Sequence, residues 1–100
     1  MPNYINYMDV LGAFIEGKTE GVSSGQGNLR IKGNILYHYS TPILERLDDK
    51  FILNVTRYSL VTGKLQKQIK ESLSENQIII VKKVAEGYRG FLQDYLTTNQ

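Results

Sequence analysis

The spacing of apolar residues changes along the chain, and each change marks a new element. Tyr4, Tyr7, Met8, Leu11, Phe14 and Ile15 recur at helical intervals, predicting an amphipathic helix over residues 4–16 that stops near Gly17. Residues 17–28 then hold four glycines among Ser, Thr, Gln and Glu, a composition that predicts a flexible loop. Gly25-Gln26-Gly27 has neither a buried strand before it nor a Lys-Ser/Thr opening a helix after it, so it is not a P-loop.

From Leu29 the period shortens to two. Leu29/Ile31, Ile35/Tyr37/Tyr39 against Leu36/His38, Ile43/Leu44/Leu47 and Phe51/Leu53/Val55 fall at strand spacing. Turns at Lys32-Gly33-Asn34 and Asp48-Asp49-Lys50 separate them, which describes a β-meander. Pro42 has no backbone donor, so its strand is expected to bend or break at Thr41-Pro42, at an edge or a bulge. Thr56 is placed to cap a following helix whose stripe of Tyr58, Val61, Leu65, Ile69 and Leu73 packs on the sheet.

Residues 77–81, Gln-Ile-Ile-Ile-Val, are too short for a helix and read as a strand buried on both faces. Tyr88, Phe91, Leu92, Tyr95 and Leu96 return to helical spacing, though Gly87 and Gly90 each weaken a helix by roughly 1 kcal/mol. The expected fold is α+β, one domain over residues 1–100. It runs from an N-terminal helix through an antiparallel β-meander packed by a helix to a further strand and a C-terminal helix, and one core suits this length.

Composition removes whole classes of function. The absence of cysteine excludes disulfides, thiolate zinc sites and a cysteine nucleophile. No stretch approaches the roughly 20 apolar residues of a membrane span, and no signal-peptide pattern opens the chain, so a soluble cytoplasmic protein is expected. The single histidine, His38, lies among alternating strand residues and reads as a hydrogen-bonded structural side chain. Asp48-Asp49 has no third acidic residue near it, so neither a metal site, a cofactor nor catalysis is expected.

Charge adds one candidate surface. The formal net charge of +2 resides wholly in residues 64–100, where six Lys/Arg face four Asp/Glu. Arg57, Lys64, Lys67 and Lys70 share one arc of the second helix opposite its apolar stripe, and Lys82, Lys83 and Arg89 extend that basic surface. At the helix start, the hydroxyls of Tyr58, Ser59 and Thr62 and the free N–H groups suit an anion, with local capping as the plainer use of the same residues.

Residues 28–66 also carry a family likeness. Leu29, Ile31, Gly33, Leu36-Tyr37, Tyr39, Thr41, Ile43 and Arg46, followed by Asn54, Thr56, Tyr58-Ser59, Thr62, Lys64 and Gln66, resemble a family of small domains of unknown function carried mainly by bacteriophages and other mobile elements. The family's helix opens Tyr-Ser-x-Thr-Thr-x-Lys-His-Gln; here Val61 replaces the first of the paired threonines and Leu65 replaces the histidine, so any chemistry of that histidine is lost. The resemblance implies a phage or mobile-element origin and supplies no activity.

The function expected on these grounds is a non-catalytic binding protein, an anti-defence inhibitor of anti-CRISPR type whose partner is a host protein such as a CRISPR effector nuclease. Tyrosine and arginine suit the hot spots of such an interface. The alternative is a small nucleic-acid-binding accessory protein that uses the Lys/Arg helix face against phosphates. The aromatic face of the C-terminal helix offers a further route, self-association into a homodimer.

Overall fold

A computed structural model describes residues 2–23 and 27–96, and among them seven strands form one mixed sheet in strict chain order. The strands are β1 (Asn3–Tyr4), β2 (Glu20–Ser23), β3 (Leu29–Lys32), β4 (Ile35–His38), β5 (Thr41–Leu47), β6 (Lys50–Asn54) and β7 (Ile78–Val81). Two α-helices, α1 (Tyr7–Ile15) and α2 (Leu60–Ser72), connect β1 to β2 and β6 to β7. The fold is α+β. Strands β3 to β6 pair antiparallel as the expected meander, β2 adds a further antiparallel strand to it, and β1–β2 and β6–β7 pair parallel.

This order decides where the helices go. Both crossovers step the same way across the sheet between strands that point the same way, so the right-handed preference of β-α-β units puts α1 and α2 on one face. One core cluster accordingly joins Val10, Leu11 and Phe14 of α1, Leu65 and Ile69 of α2, and Leu29, Ile31, Leu36, Leu44 and Leu53 of the sheet. Arg46 closes α1 by donating to the Phe14 carbonyl and, at 3.4 Å, to that of Ile15. Its guanidinium carbon also lies 5.4 Å and 4.9 Å from the ring centres of Phe14 and Phe51.

The meander's register follows from its turns. Gly33 and Asn34 form a two-residue link between paired Lys32 and Ile35, and Gly33 at φ +66° gives the glycine-first pattern of a type II′ turn. Leu36 pairs with Leu44 and Tyr37 with Pro42, leaving Ile43 as an extra residue. Pro42 therefore sits beside a bulge, and β5 continues through it without breaking.

Several expectations are corrected. The first helix starts at Tyr7 with Asn6 as its N-cap, because Asn3–Tyr4 are drawn into the sheet edge beside β2. The segment 17–28 is not all loop, since it contains β2; residues 24–26 lie outside the described residues. Gly21 is buried there because Tyr4 covers it, and an added Cβ would meet the Tyr4 ring at 2.7 Å. Ser59, not Thr56, caps α2, its side chain accepting from the Thr62 amide.

The stripe of α2 also differs. Leu65 and Ile69 are buried, but Thr62 and Gln66 take inward positions while Val61 is 52% exposed, because this end of the helix meets polar groups of the sheet. Strand β7 is an edge strand with Ile80 47% exposed, not one covered on both faces.

No C-terminal α-helix forms within the described residues. Residues 82–91 run as a strap from β7 to β5 on the face opposite the helices and end in a 3-10 turn, Leu92–Tyr95. A second cluster, with Ile52, Val81, Val84 and Leu92 at its centre, lies beneath it. Glu45 explains the arrangement: fully buried on that face, it accepts from the Leu92 amide at 2.6 Å and from Gln93 Nε2 at 3.0 Å. Tyr88, Tyr95 and Leu96 pack against this cluster, so the helical aromatic face expected for self-association does not exist; Phe91 alone of the five stays largely exposed.

Candidate binding groove

The ten residues singled out from the sequence separate into four places. Arg57, Lys64, Lys67 and Lys70 are exposed on and before α2, on the helix side of the sheet. Lys82 and Lys83 follow β7 on the exposed start of the strap. Tyr58, Ser59 and Thr62 line a cleft, and Arg89 lines a separate groove. The structure thus does not unite them into one basic surface.

Most polar residues of the phage-like pattern build the junction between β6, α2 and the strap. Buried Asn54 donates from Nδ2 to the Pro42 carbonyl and to Tyr58 Oη, both at 2.9 Å, and its Oδ1 accepts from the Thr56 amide at 2.9 Å. Gln66 Nε2 donates to the carbonyls of Asn54 and Thr56 at 2.7 and 2.9 Å. Tyr58 Oη donates to the Val84 carbonyl at 2.6 Å, and Thr56 Oγ1 accepts from the Val84 amide at 2.9 Å. These bonds satisfy backbone groups that the link from sheet to helix would otherwise bury unpaired.

His38 lies beside this junction and ties both helices to the sheet. Its Nε2 is 2.9 Å from Tyr7 Oη of α1 and its Nδ1 is 2.8 Å from Thr62 Oγ1 of α2. Ser59 Oγ donates to Thr62 Oγ1 at 3.1 Å, so the threonine hydrogen is left for His38 Nδ1 and the Nε2–H for Tyr7. Burial pushes the His38 pKa below its ordinary value. Burial raises that of Tyr7, with the nearby Tyr39 adding to the rise and the Asn28 hydrogen bond opposing it. Outside this chain lies a cleft of about 340 Å³ bounded by His38, Tyr39, Tyr58, Val61 and Glu86.

The larger concavity, about 810 Å³, lies on the opposite side of the sheet. Alternation builds it: Leu29, Ile31 and Leu36 face the helices, so Arg30, Lys32 and Tyr37 face the other way, with Arg30 and Tyr37 directly paired across β3 and β4. Gly87, Tyr88 and Arg89 of the strap form the second wall. The hairpin tip Tyr39-Ser40 closes one end. Among the described residues, Arg30, Lys32 and Arg89 have no ion-pair or side-chain hydrogen-bond partner and no carboxylate lines the groove.

Three tyrosines stand among those cations. Tyr37 is half-buried, and burial, then the charge of Glu45 behind it, raises its pKa. Tyr88 donates to Asp94 Oδ2 at 2.8 Å, and this bond is the main cause of its raised pKa, ahead of burial and the charges of Asp94 and Tyr95. Tyr39 accepts from Asn28 Nδ2 at 2.9 Å and meets the His38 ring edge-on at 4.5 Å. Both tip residues have positive φ, +52° at Tyr39 and +68° at Ser40, where a type I′ turn normally takes Asn and Gly. A bulky residue held there is strained by roughly 1–2 kcal/mol, a cost often found where a side chain is displayed for function.

Arg30, Lys32, Tyr37, Tyr39 and Tyr88 were not among the sequence candidates. Their signal was present, because the Gly33-Asn34 turn fixes Arg30 opposite Tyr37 once the meander is accepted. Neither the cleft nor the groove contains a cluster for a metal: no group of three His, Asp or Glu that could hold one occurs among the described residues. No helix among them is long and apolar enough to cross a membrane. Comparison with protein-family models, curated proteins and solved structures finds no match, so the phage-like resemblance rests on the quoted residues alone.

Proposed function

We propose that the protein is a non-catalytic binding module that takes single-stranded nucleic acid into the groove between β3–β4 and the strap. The observation that carries this reading is the mixture lining it: unpartnered Arg30, Lys32 and Arg89 beside Tyr37, Tyr39 and Tyr88. Cations that track phosphates and aromatic faces that stack bases are the two elements of sequence-tolerant single-strand binding. Phosphate contacts through guanidinium groups fix the strand, and each stacked base contributes roughly 1–3 kcal/mol. Fluorescence anisotropy with labelled single strands of about 12 nucleotides, in DNA and RNA, tests it. Binding that weakens with salt and is lost in Arg30→Glu/Arg89→Glu supports the reading; equal binding by that variant refutes it.

A second reading has its own observation. Leu60 and Val61, 87% and 52% exposed, adjoin Arg57, Lys64, Lys67 and Lys70 in sequence around the start of α2, away from the groove. An apolar patch with a basic surround fits a protein partner, and for a phage-borne protein in a bacterial cytoplasm that partner is a host defence nuclease of CRISPR-effector type, which it inhibits. Lys64→Glu/Lys67→Glu separates the two readings, because it removes inhibition of the nuclease while leaving groove binding of single strands intact.

A further inference from the structure

We infer that the cleft beside His38 is a single-nucleobase subsite selective for guanine, which rests on the nucleic-acid reading of the groove. The two concavities adjoin: Tyr39 lines both, and the strap supplies Glu86 to the cleft and Gly87 to Arg89 to the groove. Gly87 is fixed at this crossing by its backbone N–H, which donates a hydrogen bond to Thr41 Oγ1 at 2.8 Å. A strand lying on the groove cations passes the hairpin tip, and a base unstacked at that point enters the cleft.

The size and walls suit one base. At about 340 Å³ the cleft is at the small end of the roughly 300–1,000 Å³ of ligand pockets. Tyr39, Tyr58 and Val61 supply apolar and aromatic wall, and Tyr39 is held in place by His38 and Asn28. The other polar side chains lining the cleft are committed: Tyr58 Oη to Val84, Ser59 and Thr62 to each other and to His38.

Glu86 is the exception. Among the described residues it is the sole acidic residue lining the cleft, and its side chain has no hydrogen-bond or ion-pair partner there. An ionised carboxylate only accepts, and two oxygens side by side match two adjacent N–H donors. Guanine offers that pair on its Watson–Crick edge, N1–H and the 2-amino group. Adenine and cytosine each set a ring acceptor beside their amino donor, and thymine and uracil set two carbonyls around one N–H, so each brings a repelling lone pair to the carboxylate.

The test compares labelled thymidine strands of about 12 nucleotides with the same strands carrying one central guanosine. About tenfold tighter binding of the guanosine strand than of the thymidine strand, an increment that Glu86→Gln abolishes while both strands still bind, is the result expected. Salt-dependent binding with no guanosine increment, or an increment that survives Glu86→Gln, overturns the subsite and leaves the groove reading standing. No binding of either strand overturns both.

Discussion

Removing the Glu45 carboxylate tests how the groove is assembled. Fully buried between β5 and the strap, it accepts strongly from the Leu92 amide at 2.6 Å and Gln93 Nε2 at 3.0 Å, and weakly from the Gln93 amide at 3.4 Å. Hydrogen bonds to a charged group contribute about 1.5–3 kcal/mol each, so the two strong ones amount to about 3–6 kcal/mol. Glu45→Ala does not forfeit all of it, because the strap can release the stranded donors to water by lifting off. Lifting then exposes Leu92, whose burial is worth about 2 kcal/mol. The loss is therefore about 3 kcal/mol, and at 4–8 °C per kcal/mol the melting temperature falls by about 12–24 °C.

Glu45→Gln is the finer probe. Its carbonyl keeps the bond from Leu92, but its amide turns a donor toward the donors of Gln93, so about half the loss is expected. Thermal unfolding gives the total, and hydrogen exchange at the Leu92 and Gln93 amides reports strap release. The tyrosinate titration adds a third readout, since Tyr37 loses the part of its upward shift owed to Glu45 and keeps the larger part owed to burial. A Glu45→Ala protein melting within about 2 °C of the parent, with both amides still protected, would sink the anchoring role.

Tyr39→Asn relieves about 1 kcal/mol of positive-φ strain and loses a ring contact of similar size, so stability stays within about 1 kcal/mol while single-strand affinity falls about 5- to 150-fold; anisotropy and melting on one sample check both. Three groove cations predict a slope of log affinity against log salt of about −2 for single strands, reduced by about 0.7 in Arg89→Gln. Glu20, paired with Lys32 at the groove's flank, opposes phosphate, and Glu20→Gln is expected to tighten binding about twofold. His38 is held neutral by burial, so its contribution to stability is complete above pH 6.5 and declines as pH falls below that value toward its depressed folded pKa; the excess acid lability, followed by melting from pH 7 to 5, disappears in His38→Gln.

The meander and the existence of both α-helices were legible in the sequence from their periods, two for Leu29/Ile31 and near 3.6 for Leu65/Ile69, although the start of α1 and the inward stripe of α2 were not. Strand β2 was not, since Gly21 and Ser23 look like loop residues until Tyr4 is seen to lie over the one and the Leu29 amide to bond the other. The C-terminal helix failed for the complementary reason: Tyr88, Leu92 and Tyr95 have helical spacing, but a buried carboxylate 47 residues away holds the Leu92 amide. Charge spacing on α2 identified a real exposed arc, whereas the groove needed the cross-strand pairing of Arg30 with Tyr37, which no helical or linear count detects.

The groove's position follows from topology. Two right-handed crossovers of one direction place both helices on one face and leave the other to whatever chain follows β7. The 15 residues from Lys82 to Leu96 extend to about 50 Å, enough to cross the roughly 29 Å of a seven-stranded sheet. They do not cross it, because Glu45 and Thr41 catch Leu92 and Gly87 at β5. The outer face of β3 and β4 is thereby left open beside a fixed wall. An open face needs only polar residues of mixed sign to stay in water, yet among the described residues its groove is lined by arginine, lysine and tyrosine without a carboxylate. That bias, with two positive-φ residues at its tip, supports the proposed anion-binding role of the groove more than the three lysines on α2 support one for the helix.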